Sequence, residues 1–296
     1  MMKNQNPFFT LITGASTGLG KAFAIECARR EMNLILVSLP EENLKTLSND
    51  LSLKYGIQVF FREIDLTERS AVEELGEWVT QNYKVNMLIN NAGVGGTCLF
   101  EKSTADYLDN IIQLNVRAMT LLTRYLVPAM QKLPQAFILN VSSLAAFSPV
   151  PFKTVYPASK AFVHHFTRGL RAELKDSGVK VSVLNPGPII TNSDVKQRID
   201  KQSFYIKLSI MSPERIAQIA IKKLLKGRAV IIPGFMNQFN SLMIRVVPVR
   251  FRIFVGANIF KRDFKETPSN ESVSNRSERP AWQQSGQEAV TRKVRS

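Results

Sequence analysis

The sequence predicts an α/β protein with a Rossmann-like, doubly wound parallel sheet and helices on both faces. Short apolar runs alternate with longer amphipathic segments over most of the 296-residue chain, which is typical of successive β-α units. The short runs are rich in branched and aromatic residues and nearly continuous in apolar character, as strands buried on both faces are. The first run leads directly into a glycine-rich turn and a helical segment, as in the first β-α unit of doubly wound folds.

Seven segments have the length and composition of buried strands. They are predicted at Phe8–Thr13, Asn33–Ser38, Gln58–Glu63, Val85–Asn90, Ala136–Ser142, Val179–Leu184 and Arg228–Ile232. Between them, apolar residues recur at three- and four-residue intervals, which indicates helices with one buried face. Helices are predicted at Lys21–Arg30, Leu44–Leu53, Arg69–Gln81, Ser103–Met130 and Tyr156–Ser177. A further helix is predicted to begin at Ser212-Pro-Glu, with the serine as N-cap and the proline in the first turn.

The composition limits the classes of partner. The net charge of +15 is compatible with a nucleic acid, an anionic membrane surface or a small anionic ligand. The basic residues are scattered and form no run of five or more. Nucleic-acid binding is therefore not expected, because it usually requires a clustered basic face.

The cysteines and the apolar stretches suggest a protein without structural metal or disulfides. Cys27 and Cys98 have no metal-type spacing. The N-terminal residues contain no long apolar segment of the secretory type, and the least charged later stretch, Ala229–Ile244, is interrupted by Pro233 and several amides. We expect a cytoplasmic protein without a metal site, for which peripheral membrane contact stays open.

The glycine-rich turn is Thr13-Gly14-Ala15-Ser16-Thr17-Gly18-Leu19-Gly20. Glycines at this position permit a tight turn and let a pyrophosphate approach the backbone, and the following helix N-terminus favours negative charge. The spacing differs from the GxGxxG fingerprint, so an ordinary strand-to-helix turn is the alternative. Its place after the first strand favours a dinucleotide site.

A second candidate site combines Tyr156, Lys160 and Ser143. Tyr156 and Lys160 are four residues apart and therefore share one helix face. The reference pKa of tyrosine is about 10, and a nearby cation favours the phenolate. Ser143 ends a buried strand, where its hydroxyl can orient a carbonyl group. Each element alone also fits a surface pair or a plain strand end, so the hypothesis of a proton-transfer site depends on their combination.

These elements, in this order, resemble the short-chain dehydrogenase/reductase family over roughly residues 7–234. Further positions match the family at the expected strand ends. They are Asn90-Asn91-Ala92-Gly93, Asp65-Leu66, Asn115, and Asn185-Pro186-Gly187 with Thr191. The resemblance implies an NAD(P)-dependent oxidoreductase of that family.

The resemblance also implies residue roles. Tyr156 would be the general acid in reduction, and Lys160 would bind the ribose and lower the tyrosine pKa. Ser143 would polarise the substrate carbonyl, and Asn115 would hold a relay water. The candidate cofactor-binding residues are Gly14, Ser16, Thr17, Gly18, Leu19, Gly20, Ser38, Asp65, Leu66, Asn91, Ala92, Gly93, Tyr156, Lys160, Pro186, Gly187, Ile189 and Thr191.

The end of the second strand predicts NADP(H) in preference to NAD(H). An acidic residue there would bind the ribose 2′-hydroxyl and repel a 2′-phosphate, but residue 39 is leucine. Ser38 can hydrogen-bond a phosphate, and Lys21 follows the glycine loop. Glu41 and Glu42 are close in sequence and oppose this preference. NAD(H) therefore stays the alternative.

Three regions are expected: residues 1–234 as the dinucleotide-binding catalytic domain, 235–262 as an apolar and basic helical extension, and 263–296 as a disordered tail. Pro248 should divide any helix in the extension. The extension is expected to pack on the domain, to cover the active-site mouth, or to contact another subunit or a membrane.

The predicted reaction is reduction of an apolar ketone or a lipid-like 3-oxoacyl substrate. Phe147, Phe152 and Phe204 flank the expected mouth of the site, where pocket lining and ordinary packing are equally supported. A catalytically quiet dinucleotide-binding protein and a membrane-associated scaffold are the competing functions. A homo-oligomer is compatible with the sequence.

Overall fold

The computed structural model describes residues 7–189, 209–254 and 257. The described residues up to Ile253 belong to one compact unit. The strands are β1 (Phe8–Thr13), β2 (Asn33–Ser38), β3 (Val59–Glu63), β4 (Lys84–Asn90), β5 (Ala136–Val141), β6 (Val179–Leu184) and β7 (Val230–Ile231). They form a seven-stranded sheet in the order β3-β2-β1-β4-β5-β6-β7, and every pairing is parallel. This order confirms the predicted doubly wound fold.

The helices follow the predicted positions with one correction. They are α1 (Gly18–Ala28), α2 (Leu44–Tyr55), α3 (Arg69–Asn82), α4 (Ala105–Ile112), α5 (Met119–Met130), α6 (Val155–Glu173), α7 (Pro213–Leu225) and α8 (Phe235–Val246). The helix expected at Ser103–Met130 is a continuous helical run from Ala105 to Met130, but a π-helical turn at Gln113–Ala118 lies between its α-helical parts α4 and α5. Such turns insert an extra residue per turn and redirect a side chain, and they are frequent at functional sites.

The sheet separates two apolar cores. Successive side chains of β1 point to opposite faces, so Ile12 belongs to the core formed with α1 and α7. Leu11 belongs to the core formed with α3 and α5. Because both faces are covered, the strands are apolar throughout, and β2 is buried along its whole length. This explains why the strand segments could be recognised from continuous apolar runs.

The order of the strands reverses between β1 and β4. In an open parallel sheet, a crevice forms at the carboxyl ends of the strands where the order reverses, and ligands bind there. Thr13 ends β1 and Asn90 ends β4 at this point. The glycine loop and the segment after β4 therefore meet at one crevice.

The C-terminal described segment contains two helical pieces. Helix α8 ends at Val246, and helical backbone resumes at Val249 after Pro248. The predicted break at Pro248 is confirmed. In the part of the chain that the structure describes, we find no helix with the length and hydropathy required to cross a bilayer.

Candidate active site

The glycine loop is held in a conformation that requires its glycines. Gly14 and Gly18 have φ angles of 64° and 53°, in the left-handed region that favours glycine. A Cβ atom on Gly20 would lie 1.8 Å from the Gly14 carbonyl oxygen. Helix α1 therefore begins directly against the loop. In this described segment no side chain caps its first turn, so backbone N–H groups there can bind a phosphate.

The segment after β4 is fastened to this loop. The Asn91 side chain donates to the carbonyl oxygens of Thr13 and Gly14 at 3.0 and 3.1 Å. The Thr13 hydroxyl accepts hydrogen bonds from the backbone N–H groups of Asn91 and Ala92. These bonds cross the crevice between the two halves of the sheet. They fix the walls between which the predicted dinucleotide would lie.

A buried amide chain continues from this point beneath the site. Asn90 Nδ2 donates to Asn140 Oδ1 at 2.8 Å and to the Thr123 hydroxyl at 3.0 Å. Asn140 Nδ2 donates in turn to the Thr167 hydroxyl of α6. The chain joins β4, β5, α5 and α6. Because buried polar groups left without partners are costly, this network fixes the position of α6 relative to the sheet.

Helix α6 presents Lys160 to the crevice. Its Nζ atom donates to the Val141 carbonyl oxygen at 3.1 Å, and the Ser142 hydroxyl donates to the Lys160 carbonyl oxygen at 2.7 Å. Lys160 is buried, which lowers its pKa to about 8. At neutral pH the ammonium group is thus mostly charged but poorly hydrated. Oxygen atoms of a bound ligand would replace the missing hydration and stabilise the charge.

Tyr156 and Ser143 form a hydroxyl pair at the same edge. Burial raises the pKa of Tyr156, and a hydrogen bond from the Ser143 side chain opposes this rise. The Lys160 Nζ atom is 5.9 Å from the centroid of the Tyr156 ring. Desolvation is the largest cause of this shift in the pKa of Tyr156, and the lowering of that pKa by Lys160 stays a prediction. The phenol is therefore neutral at neutral pH.

Asn115 is brought to the site by the π-helical turn. Its Oδ1 atom accepts from the Val94 N–H at 2.9 Å, and its Nδ2 atom donates to the Val94 carbonyl oxygen and to the Ser159 hydroxyl. A Cβ atom on Gly93 would lie 2.9 Å from Asn115 Oδ1 and 3.0 Å from Lys160 Nζ. Asn115 thus couples the segment after β4 to α6, beside the catalytic lysine candidate.

The end of β2 differs from the expectation in one respect. Ser38 is buried, and its hydroxyl donates to the Leu39 carbonyl oxygen. It is therefore turned to the backbone. Glu42 instead approaches the glycine loop, where its carboxylate accepts a hydrogen bond from the Ser16 hydroxyl. A carboxylate at this position opposes a 2′-phosphate.

Two further predicted contact regions are occupied by local interactions. The Asp65 carboxylate accepts hydrogen bonds from the N–H and hydroxyl of Thr67. Leu66 is buried in the core that contains α3. Both hydrogen bonds from Thr67 go to Asp65 Oδ1, so the contact of Asp65 and Leu66 with an adenine ring stays a prediction.

The Pro-Gly segment after β6 approaches the active serine. The Pro186 carbonyl oxygen accepts from the Leu144 N–H, one residue after Ser143. Ile189 forms an isolated parallel bridge with Met211. Thr191 and Phe204 lie outside the described residues.

An open cleft adjoins Tyr156. The cleft is shallow and open to solvent, and its aromatic lining includes Phe100, Tyr107 and Phe152. Phe152 has a φ angle of 67°, in a region that a bulky residue rarely adopts. Phe147 instead packs edge to face against His164, with 5.0 Å between the ring centroids. Of the phenylalanines predicted at the mouth of the site, Phe152 lines the cleft and Phe147 packs against His164.

The sequence analysis missed Gly95 and Gly96. A Cβ atom on Gly95 would lie 2.3 Å from the Tyr156 ring, and one on Gly96 would lie 2.4 Å from the Tyr107 hydroxyl. Both aromatic rings therefore reach the cleft only because these positions lack side chains. The glycine pair that follows Gly93-Val94 was the available signal.

The geometry fits a nicotinamide dinucleotide. The glycine loop at the switch point, the uncapped first turn of α1 and the Ser143–Tyr156–Lys160 group define the class: an NAD(P)-dependent oxidoreductase. The short chain dehydrogenase family model matches residues 9–202. The chain belongs to the short-chain dehydrogenase/reductase family.

Among curated relatives, the chain is 32% identical over 200 residues to a very-long-chain 3-oxoacyl-CoA reductase of Anas platyrhynchos. It is 29% identical over 273 residues to the enzyme of the same name from Rattus norvegicus, covering 88% of this chain and 84% of that protein. A 17-beta-hydroxysteroid dehydrogenase type 3 of Mus musculus is 32% identical over 185 residues. The match to the Anas protein covers 66% of this chain and 63% of that protein. The match to the Mus protein covers 62% of this chain and 60% of that protein.

Solved structures show the same fold. A bulky-bulky ketone specific alcohol dehydrogenase from Comamonas testosteroni superposes with a TM-score of 0.70 at 24% identity, covering 92% of this chain and 99% of that one. A short-chain dehydrogenase from Sphingobium yanoikuyae in complex with NADPH gives 0.69 at 26% identity, covering 91% and 99%.

Proposed function

We propose that the protein reduces the carbonyl group of an apolar, lipid-like substrate of the 3-oxoacyl thioester class, with NADP(H) as the cofactor. The observation that carries the proposal is the Ser143–Tyr156 hydroxyl pair beside a buried lysine, at the crevice bounded by the glycine loop. A bound reduced nicotinamide supplies the hydride. The chain's own residues bind, orient and donate the proton.

Tyr156 is the proposed proton donor. Burial raises its pKa, so the neutral phenol that a general acid requires is the stable form at neutral pH. The Ser143 hydroxyl is close enough to hydrogen-bond to the phenol. Both hydroxyls can therefore donate to one carbonyl oxygen, where negative charge develops during reduction.

Lys160 and Asn115 support this pair. Lys160 is the proposed ligand of the nicotinamide ribose, because its cation is buried and has one hydrogen bond in the described structure, to the Val141 carbonyl oxygen. The Asn115 side chain is fully engaged with Val94 and Ser159. Asn115 is therefore a positioning residue that holds Ser159 and the neighbouring Lys160 in place.

The substrate class is supported by the relatives and by the cleft. Very-long-chain 3-oxoacyl-CoA reductases are among the relatives at about 30% identity. The aromatic lining beside Tyr156 suits an apolar chain next to a carbonyl group. A bulky ketone is the second candidate, since a steroid dehydrogenase is also among the relatives.

The cofactor preference has support on both sides. Leu39 removes the acidic group that selects NAD(H), and the Sphingobium neighbour is in complex with NADPH. Glu42 opposes this preference, because its carboxylate contacts Ser16 of the glycine loop. NAD(H) is therefore the second candidate. Calorimetric titration with both dinucleotides decides between them.

The proposed reaction is tested by mixing the purified protein with NADPH and 3-oxoacyl thioesters of increasing acyl length, with bulky ketones in parallel. The reduced cofactor's near-ultraviolet absorbance is expected to fall, and kcat/KM should rise with acyl length. Binding of the dinucleotide without turnover of any carbonyl would favour the quiet binding protein instead.

A further inference from the structure

Helix α8 has its polar side buried and its apolar side exposed. Asn237 and Ser241, one turn apart, are 1% and 6% exposed. The large apolar residues of the helix form an outward stripe at helical spacing. The stripe consists of Phe235, Phe239, Leu242, Met243 and Val246, which are between 41% and 83% exposed. An ordinary surface helix of a globular protein has the opposite arrangement.

The buried side of α8 is held by specific contacts. Asn237 Nδ2 donates to the carbonyl oxygens of Ser209 and Pro233 at 2.9 and 3.0 Å. A Cβ atom on Gly187 would lie 2.4 Å from Asn237 Oδ1. The orientation of the helix is therefore set by these polar contacts, and the exposure of its apolar stripe follows from them.

The second helical piece continues the apolar surface. Val249, Phe251 and Ile253 are exposed large apolar residues. Eight of the sixteen exposed large apolar side chains of the described residues lie between Phe235 and Ile253. A cluster of this kind usually marks a binding surface.

The charged residues in this part of the sequence have a single sign. Between Glu214 and Asp263 the sequence contains no acidic residue, whereas lysines and arginines recur throughout. Arg250 is exposed within the second piece. The surface is thus apolar and basic, which is the composition that binds an anionic bilayer surface.

We propose that the exposed face of residues 235–253 docks on the surface of an anionic lipid bilayer. A second copy of the chain fits less well. In a two-fold dimer each patch meets itself, so Arg250 and its basic neighbours would be brought together. Residues 263–296 contain few large apolar side chains, so the tail offers little to cover the stripe.

The docking face is joined to the active site. Helix α8 packs against the turn Leu144–Phe147 that follows Ser143. Arg252 Nη1 donates to the Phe147 carbonyl oxygen at 2.6 Å. Docking would therefore bring the substrate side of the site to the bilayer. This last consequence rests on the proposed lipid-like substrate, whereas docking itself does not.

Sedimentation with vesicles tests the proposal. The full chain is mixed with vesicles of phosphatidylcholine alone, or with a phosphatidylserine fraction, at low and high salt. We expect binding to the anionic vesicles that weakens with salt. The double variant Phe239→Ser, Leu242→Ser should bind at least tenfold less. Leu53→Ser, which changes an 86% exposed leucine on α2, should bind as the wild type does.

Two results would overturn the proposal: no binding of the wild type to anionic vesicles, or unchanged binding of the double variant. Sedimentation velocity on the same samples tests whether a second copy of the chain covers the stripe instead. If the wild type is a dimer and the double variant is a monomer that still binds vesicles, the stripe is a dimer interface. Turnover of a short, water-soluble substrate is measured in parallel. Docking without turnover contradicts only the proposed function, and turnover without docking contradicts only the membrane surface.

Discussion

The active site and helix α8 invert the usual distribution of polar and apolar groups in different ways. At the active site, Lys160 and Asn115 are buried and hydrogen-bonded within the chain. On α8, large apolar side chains such as Phe235 and Val246 are exposed. Both arrangements cost stability, by desolvation of polar groups in one case and by hydration of apolar groups in the other.

The difference lies in how each cost is offset. The buried polar groups are mostly satisfied by internal partners, and the network fixes them in one geometry. Among the described residues, nothing comparable covers the exposed apolar groups of α8, and an outside surface would relieve their cost. Substitutions at the site should therefore change the protein itself, whereas substitutions on α8 should change what it binds.

After Tyr156→Phe, the largest effect on this comparison is expected for Ser143→Ala. The variant loses a donor to the developing negative charge on the substrate oxygen, so kcat should fall by about 10²–10³-fold. Affinity for the dinucleotide should stay within about twofold, because the serine faces the substrate. Steady-state kinetics and calorimetry measure both. A variant with wild-type kcat would remove Ser143 from the proposed mechanism.

Lys160→Met should lower turnover and raise stability. The variant removes a buried cation and fills its volume with an apolar chain. The free energy of unfolding should therefore increase by about 1–2 kcal/mol, which raises the thermal midpoint by a few degrees. The folded-state pKa of Lys160 is lowered to about 8, so the cost of its burial is present in full below pH ~8 and falls as the pH rises from there toward the unfolded-state pKa of about 10.4. The gain should therefore be largest below pH ~8 and shrink at higher pH. A pH-independent gain, or a loss below pH ~8, would contradict the burial of a charged lysine.

Glu42→Gln should sharpen the cofactor preference. The amide can still accept from Ser16 but carries no charge, so NADPH affinity should rise roughly fivefold relative to NADH, about 1 kcal/mol. Calorimetric titration of both dinucleotides provides the ratio. An unchanged ratio would mean that Glu42 does not act on the 2′-phosphate position.

The smallest effect is expected for Leu242→Ser on α8. Since this residue is 58% exposed, the free energy of unfolding should change by no more than about 0.5 kcal/mol. Turnover of a short, water-soluble substrate should also be unchanged. Denaturant unfolding and kinetics check this. A large loss of stability would show that the stripe packs within the protein.

The fold could be predicted because both faces of the sheet are buried. Strands such as Phe8–Thr13, Asn33–Ser38 and Val179–Leu184 have the bounds that their continuous apolar runs indicated. The interruption at Gln113–Ala118 could not be read in the same way, because a π-helical turn keeps a helical pattern on either side. Within this turn, Asn115 accepts a hydrogen bond from the Val94 N–H, a contact between separate segments that a helical pattern does not reveal.

The site was predictable where a motif fixes the backbone and unpredictable where side chains compete for partners. The glycine loop and the Tyr156–Lys160 pair lie where the sequence indicated. Ser38 turns to the backbone and Glu42 to Ser16, which depends on the path of the chain after β2. The exposure of the α8 stripe also escaped the sequence pattern, since periodicity identifies a helix face but not the side that faces the protein.

The assignment of Tyr156 as proton donor is tested most directly by Tyr156→Phe. The ring that packs over Gly95 is preserved, so the fold and the dinucleotide site should be retained. With a 3-oxoacyl thioester and saturating NADPH, we expect the variant to bind the dinucleotide with wild-type affinity and to lose turnover by about 10³-fold or more. Turnover within a few-fold of the wild type would contradict the assignment of Tyr156 as the proton donor.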